Sequence, residues 1–173
     1  VPHKILTVYL GALGTVNVSA NMADSISSDN CGIASLSISK TTFNCSNIGY
    51  NTVKFKIVDV NANKDSVNFI VNVKDTTRPK INTRDFIVYL DASGLASLSI
   101  DSVDLGSTDA CGSVTRSLTK SSFNCLNKGV NNVTYSAKDV NGNIATKVIK
   151  ITVLDTIHPT LNLKTATLYL DKF

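Results

Sequence analysis

The sequence predicts an all-β chain of tandem antiparallel β-sandwich modules. Three observations carry that prediction: apolar residues alternate with period two, Gly, Asn, Asp and Ser cluster between the alternating runs, and the whole pattern recurs at a fixed offset of 80 residues. "TVYLGALG" (7–14) aligns with "IVYLDASG" (87–94), and "FNCSNIGYNTV" (43–53) with "FNCLNKGVNNV" (123–133). Without any insertion, 28 of 80 aligned positions are identical, among them Cys31/Cys111, Asp59/Asp139, Asp75/Asp155 and Pro79/Pro159, so these are two copies of one module. "TLYLD" (167–171) then repeats "IVYLD" (87–91). The expected organisation is repeat 1 over 1–80, repeat 2 over 81–160, and the first strand of a third repeat within 161–173, so the chain reads as a piece of a longer array.

Each repeat should hold about seven strands, near 5–10, 15–20, 33–39, 43–46, 51–58 and 66–74 in the first copy, with a seventh whose place is open. In the strand at 15–20, Val16, Val18 and Ala20 point one way, matched by Ala96, Leu98 and Ile100. Val53, Phe55 and Ile57 alternate with Lys54 and Lys56 over 51–58, matched by Val133, Tyr135 and Ala137. Over 66–74 the inward set is Phe69, Val71 and Val73, matched by Ile149, Ile151 and Val153. Tyr9, Tyr89 and Tyr169 recur on the first strand opposite Val8, Val88 and Leu168, where a tyrosine is expected to pack rather than bind. No window carries a 3.6-residue period, and short strands at this spacing indicate a sandwich rather than a parallel sheet.

Between the last two strands lies "KDVNGNIA" (138–145), whose Asp139, Asn141 and Asn143 open like a calcium loop. An EF-hand needs Gly at position six and Glu at twelve, and counting from Asp139 these are Ile144 and Lys150; counting from Asp59 they are Lys64 and Ile70. The stretch fits a type I turn followed by a left-handed residue at Gly142. Repeat 1 has Ala62 at that position.

Charge and composition exclude several functions. With 17 Lys and Arg against 13 Asp and Glu, scattered among apolar neighbours, no basic stripe is offered to nucleic acid. No apolar run approaches the ~20 residues that cross a bilayer, so membrane insertion is not expected, and the first residues do not form a signal peptide. The two histidines, His3 and His158, sit in or beside linkers, and no nucleophile has a base in sequence reach. Asp101, Asp104 and Asp109 show no division into acid and base. The chain is read as non-enzymatic.

The four cysteines come as one pair per repeat, Cys31 with Cys45 and Cys111 with Cys125, with no CxxC. The even count favours disulfides inside modules, each closing a loop of about 15 residues worth roughly 3 kcal/mol in the chain-entropy model, and an extracytoplasmic location; two buried free thiols per repeat are the alternative. The histidine spacing fits no zinc pattern. Asp75-Thr-Thr-Arg-Pro79 and Asp155-Thr-Ile-His-Pro159 close the modules, and their prolines predict short, stiff linkers and an elongated rod.

The string "SSDNCGIASLSISKTTFNCSNIGYNTVKFKIVDVNANKDSVNFIVNVKDTTRP" resembles the repeats of SprB-type gliding-motility adhesins of the Bacteroidota. More distantly, "GVNNVTYSAKDVNGNIATKVIKITVLDTIHP" is similar to hyalin-type (HYR) repeats, which are immunoglobulin-like sandwiches. The resemblance covers the whole chain, with "DNCGIASL…FNC…DVN" as its specific combination. It implies a very large protein secreted by the type IX system to the outside of the outer membrane, moved by the gliding machinery while gripping the substratum or a surface polysaccharide.

In an immunoglobulin-like module the 139–143 hairpin, the 101–109 loop and the 75–79 linker share one end. That end would gather Asp75, Asp101, Asp104, Asp109, Asp139, Asn141 and Asn143, oxygen donors of the kind calcium prefers, so no cofactor is required but calcium is a candidate. The plain reading is that Asp and Asn populate turns because their side chains bond nearby backbone. Two functional readings follow: a disulfide-stabilised spacer in an adhesin filament, its partners being neighbouring repeats, or a carbohydrate- or surface-binding unit acting through repetition.

Overall fold

The computed structural model describes residues 5–165, and within them the alternating runs form strands. Repeat 1 contributes β1 (Ile5–Tyr9), β2 (Thr15–Asn17), β3 (Ile33–Ile38), β4 (Thr42–Asn44), β5 (Gly49–Asp59) and β6 (Lys64–Lys74). Repeat 2 contributes β7 (Phe86–Tyr89), β8 (Leu95–Ser97), β9 (Thr115–Leu118), β10 (Ser122–Asn124), β11 (Gly129–Lys138) and β12 (Ile144–Leu154). Each repeat sets a four-stranded sheet, in the order β1-β6-β5-β3 or β7-β12-β11-β9, against a two-stranded one, β2-β4 or β8-β10. The chain is an all-β tandem of immunoglobulin-type sandwiches, as its period-two pattern predicts.

Two details differ from expectation. No seventh strand forms among the described residues; a short helix, α1 (Ala20–Ala23), and a 3-10 turn at Ile100–Ser102 occupy the matching crossings. The first strand is also not antiparallel to its neighbour: Ile5–Tyr9 pair in parallel with Ile70–Lys74, and Phe86–Tyr89 with Ile151–Leu154. Both partners run away from the preceding end of the module, so β1 meets the free edge of β6 in the same direction. The strand expected at 165–171 lies almost wholly outside the described residues, and 155–165 carry no strand.

Two hydrophobic cores result. In repeat 1, Val53, Phe69, Val71 and Val73 of β5 and β6 close on Val8, Val18 and Phe43. In repeat 2, Val133, Tyr135, Ile149, Ile151 and Val153 close on Val88, Leu98 and Phe123. A buried Val or Ile contributes about 1.5–3 kcal/mol relative to exposure, which makes these triplets the main source of each module's stability. Tyr9 and Tyr89 do not pack as expected: they are 56% and 58% exposed, because the face opposite Val8 and Val88 is open to solvent.

The "DVNGN" hairpin has the predicted turn. Asp139 N–H donates to Asn143 O at 3.1 Å and Gly142 N–H to Asp139 O at 3.4 Å, with Gly142 at φ 94°. In repeat 1 the same turn forces Ala62 to φ 65°, the sole non-glycine with positive φ among the described residues. Left-handed geometry costs an alanine on the order of 1 kcal/mol. Ala62→Gly should therefore stabilise repeat 1 by about 1 kcal/mol, and Gly142→Ala destabilise repeat 2 by a similar amount, both read from denaturant midpoints at unchanged slope.

Candidate functional site: the junction between repeats

The linker leaves β6 hydrogen-bonded on both sides. Leu10 N–H donates to Lys74 O at 2.9 Å, Thr77 N–H to the Asp75 carboxylate at 3.0 Å, and Thr77 Oγ1 to Leu10 O at 3.3 Å. Pro79 is buried, and beyond it the chain is sewn to the 103–108 loop by Lys80 N–H to Thr108 O (2.7 Å), Asn82 N–H to Ser107 Oγ (3.0 Å) and Arg84 N–H to Val103 O (3.0 Å). With its polar groups paired this way, the linker is a fixed strap, which agrees with the stiffness its proline predicts.

From the other side, the 139–143 hairpin reaches back to the strap. Asn141 Nδ2 donates to Asp75 Oδ2 at 2.9 Å and Asn143 Nδ2 to Asp75 O at 3.3 Å. Within the hairpin, Asp139 accepts from the backbone of Asn141 (2.9 Å) and Asn143 (2.8 Å) and from Asn143 Nδ2 (2.8 Å). Asp75 and Asp139 are 8% and 5% exposed, so each buried carboxylate depends on these donors.

The cysteines take a different pairing from the one the sequence indicates. Cys45 of repeat 1 is bonded to Cys111 of repeat 2 across 66 residues, at a Cα–Cα distance of 5.1 Å, while Cys31 and Cys125 are free and exposed. Neither Cys31–Cys45 nor Cys111–Cys125 forms, because the two cysteines of a repeat lie at opposite ends of it. Cys31 precedes β3, whose Ile33 pairs with Asp59 at the far end of β5, whereas Cys45 precedes Gly49 at the near end. The eleven residues of β5 span roughly 33 Å, and a disulfide needs Cα atoms within about 7 Å. The strand lengths legible in the sequence already carried this signal, which the short 31-to-45 spacing obscured.

Local sequence builds both halves of the bond. In "FNCSN", Asn44 accepts from Ser46 N–H (3.1 Å), Asn47 accepts from Asn44 N–H (3.1 Å), and Asn51 Nδ2 donates to Asn47 O (2.7 Å), so three asparagines fix the turn that presents Cys45. Gly14, at φ 69°, leaves room for the sulfur: a Cβ there would lie 2.7 Å from Cys45 Sγ and 3.4 Å from Cys111 Sγ. On the partner side Asp109 accepts Cys111 N–H at 2.8 Å, which sets the loop, and Cys111 packs against the core of repeat 1.

The expected cation donors fall into two groups. Asp75, Asp109, Asp139, Asn141 and Asn143 come together at the junction. Asp101 and Asp104 do not join them, since Arg116 takes both, at 2.9 Å and 2.7 Å. Carboxylate oxygens of Asp75 and Asp109 and Cys111 Sγ lie within 4.8 Å of one another, but a disulfide sulfur is no thiolate donor. Asn141 and Asn143 turn amide N–H groups toward Asp75, so Asp75 is served here by neutral amide donors. As arranged, the residues satisfy Asp75 by hydrogen bonding.

Asp104 has a separate task. Its side chain is 4% exposed. Burial pushes its carboxyl up, but hydrogen bonds from Ser107 Oγ (2.7 Å), Arg116 and Ser107 N–H (3.0 Å) together hold it down at about 2. The network braces the loop to which the linker is sewn.

No family model matches the chain, and no curated protein matches it. Solved structures do match. Fibronectin(III)-like modules of CbhA from Clostridium thermocellum share 11% identity over 94% of this chain and 97% of that one, TM-score 0.32. Human mucin-like protocadherin EC1-2 shares 9% over 90% and 97%, TM-score 0.35. Mouse cadherin-23 EC22-24 shares 14% over 68% of this chain and 45% of that one, TM-score 0.32, so the chain spans less than half of that fragment.

Acid should loosen repeat 2 through Asp104. Its folded pKa of about 2 lies below the ordinary 3.8, so its contribution is complete above pH ~4 and is lost as pH falls through about 2. The shift corresponds to about 2 kcal/mol, and Asp104→Asn should flatten the stability of repeat 2 over that window in acid titrations followed by circular dichroism.

Proposed function

We propose that this chain is a non-enzymatic rod segment of a large secreted adhesin, related to the SprB-type gliding-motility repeats its sequence resembles. The observation that carries this reading is the Cys45–Cys111 disulfide, which joins one repeat to the next rather than closing either one. A bond there fixes the angle between modules, as a filament spacer requires and an independent domain does not. Disulfides persist in oxidising compartments, in keeping with export to the bacterial cell surface. No helix among the described residues is long and apolar enough to cross a membrane. The neighbouring repeats are the direct partners; the substratum, surface polysaccharide and gliding machinery are engaged through the parent protein. Calcium is not required in this reading, since Asp75 is satisfied by Thr77 and Asn141.

The second reading, a module that binds carbohydrate itself, is favoured by one observation. Tyr9 and Tyr89 stand exposed at the same position of successive repeats, and Tyr89 borders an open groove with Asp91, Ser97 and Ser122. Binding of the fragment on a glycan array, abolished by Tyr89→Ala, would establish that reading over the spacer.

The spacer reading predicts an extended, narrow distribution of shapes in small-angle scattering for the oxidised chain. Reduction, or Cys45→Ser with Cys111→Ser, should broaden it and lower stability by up to about 4 kcal/mol on the chain-entropy account of a 66-residue loop. Chelator should leave the melting temperature unchanged; an oxidised chain already as flexible as the reduced one would sink the spacer.

A further inference from the structure

We propose that Cys125 and Cys31 are the open halves of further staples of the same kind. Cys125 bonds the first cysteine of a repeat placed after it in the chain, and Cys31 bonds the second cysteine of a repeat placed before it. The basis is that each free cysteine sits in a seat built like that of its bonded counterpart 80 positions away.

For Cys125 the match extends atom by atom. Asn124 accepts from Leu126 N–H (3.0 Å), Asn127 accepts from Asn124 N–H (3.0 Å), and Asn131 Nδ2 donates to Asn127 O (2.7 Å), as in repeat 1. Gly94 stands at φ 73° with its missing Cβ 2.7 Å from Cys125 Sγ, matching Gly14 at φ 69° and 2.7 Å from Cys45 Sγ. The Cys125 thiol lies 3.7 Å from Gly94 O, and Cys45 Sγ lies 3.6 Å from Gly14 O. The next linker also begins alike: Ile157 N–H donates to Asp155 at 3.1 Å as Thr77 does to Asp75.

At the other end Asp29 accepts Cys31 N–H at 2.8 Å, as Asp109 does for Cys111, so the same carboxylate-to-amide bond sets the start of both cysteine loops. Asp29, Asp59 and Asn63 line an open depression of about 400 Å³. Their counterparts Asp109, Asp139 and Asn143 form the surface that meets Asp75 in the junction seen here. Repeat 1 therefore carries the socket and repeat 2 the plug of a connection already formed once between them.

The chemistry is ordinary thiol oxidation. Two thiols lose two protons and two electrons to a disulfide oxidant, such as an oxidoreductase in its disulfide form or oxidised glutathione in vitro, whose own bond is reduced to two thiols. In an array stapled throughout, tension entering a repeat at its first cysteine leaves at its second. Only the stretch equivalent to 111–125 then carries load, about 50 Å at full extension against about 280 Å for an 80-residue repeat without staples.

The test compares the present chain with a longer one in which residues 81–160 are repeated once more after Thr160, both refolded with oxidised and reduced glutathione. Thiol titration should find two free thiols in each, and peptide mapping should place the new bond between Cys125 and the first cysteine of the added copy. Cys125→Ser in the longer chain should raise the count to three while Cys45–Cys111 persists. Pulled singly, the oxidised longer chain should lack the long extension steps that reduction restores. A count of zero with bonds inside repeats would overturn the proposal. So would Cys125 bonded to a separate copy while the added cysteine stays free.

Discussion

The length of the central strands governs where every other junction group falls. β5 runs eleven residues and β11 ten, so a module has two ends some 30 Å apart, and each loop belongs to one of them. The β1–β2 turn with Gly14 and the "FNC" turn with Cys45 lie at the leaving end. The Asx turn before Cys111 and the 139–143 hairpin lie at the receiving end. When the linker holds repeats end to end, leaving and receiving loops must meet, and the sulfurs meet with them. The disulfide follows from translation of a two-ended module, and pairing within a repeat is closed off by geometry before any chemistry is considered.

Much of this was legible in the sequence, for reasons that differ by element. The inward triplets on β5, β6, β11 and β12 were readable because period-two alternation is a direct image of which face is dry. The positive φ at Ala62 was readable because its partner repeat has Gly142 there, and only the repeat supplies that comparison. The meeting of Asp75 with the 139–143 hairpin followed from loop placement. What could not be read locally was the destiny of Asp101 and Asp104. Their neutraliser, Arg116, stands where repeat 1 has Leu36, so the matching Asp24 keeps a hydroxyl bond from Ser27 but no arginine. The cysteine pairing is hidden for the opposite reason: Cys31 and Cys45 are close in sequence, yet the length of β5 holds them at opposite ends of the repeat.

Electrostatics at the junction explain why the hairpin is made of asparagines. Asp75 and Asp109 bring two negative charges within 4.8 Å in a half-buried place, an arrangement that raises the energy of both unless donors surround them. Thr77 N–H and Asn141 Nδ2 serve Asp75, and Cys111 N–H serves Asp109. Neutral amides do this without adding charge. A lysine in their place would form an ion pair across the junction, but it would lose more side-chain entropy and answer to salt. Asparagine gives a short, directional contact without adding a charge that salt would screen.

Hydrogen bonds alone would leave such a junction weak. A bond to a charged carboxylate contributes roughly 1.5–3 kcal/mol and one to a backbone carbonyl less, and the hairpin sends one of each to Asp75, both of which would exchange with water readily if the repeats were pulled apart. The disulfide adds resistance of a different kind. It places a covalent bond parallel to the linker, so the strap at 75–79 need not carry tension, and the hydrogen bonds are left to set the angle. Gly14 belongs to the same division of labour: its lack of a side chain lets the sulfur bridge lie against the backbone, where the module ends are close enough for both to operate. A cation shared by the acids could stiffen the same junction, but it would dissociate with the composition of the medium. With a covalent bridge already spanning the gap, Asp75 and Asp109 are free to serve as hydrogen-bond acceptors, and their geometry reflects that use.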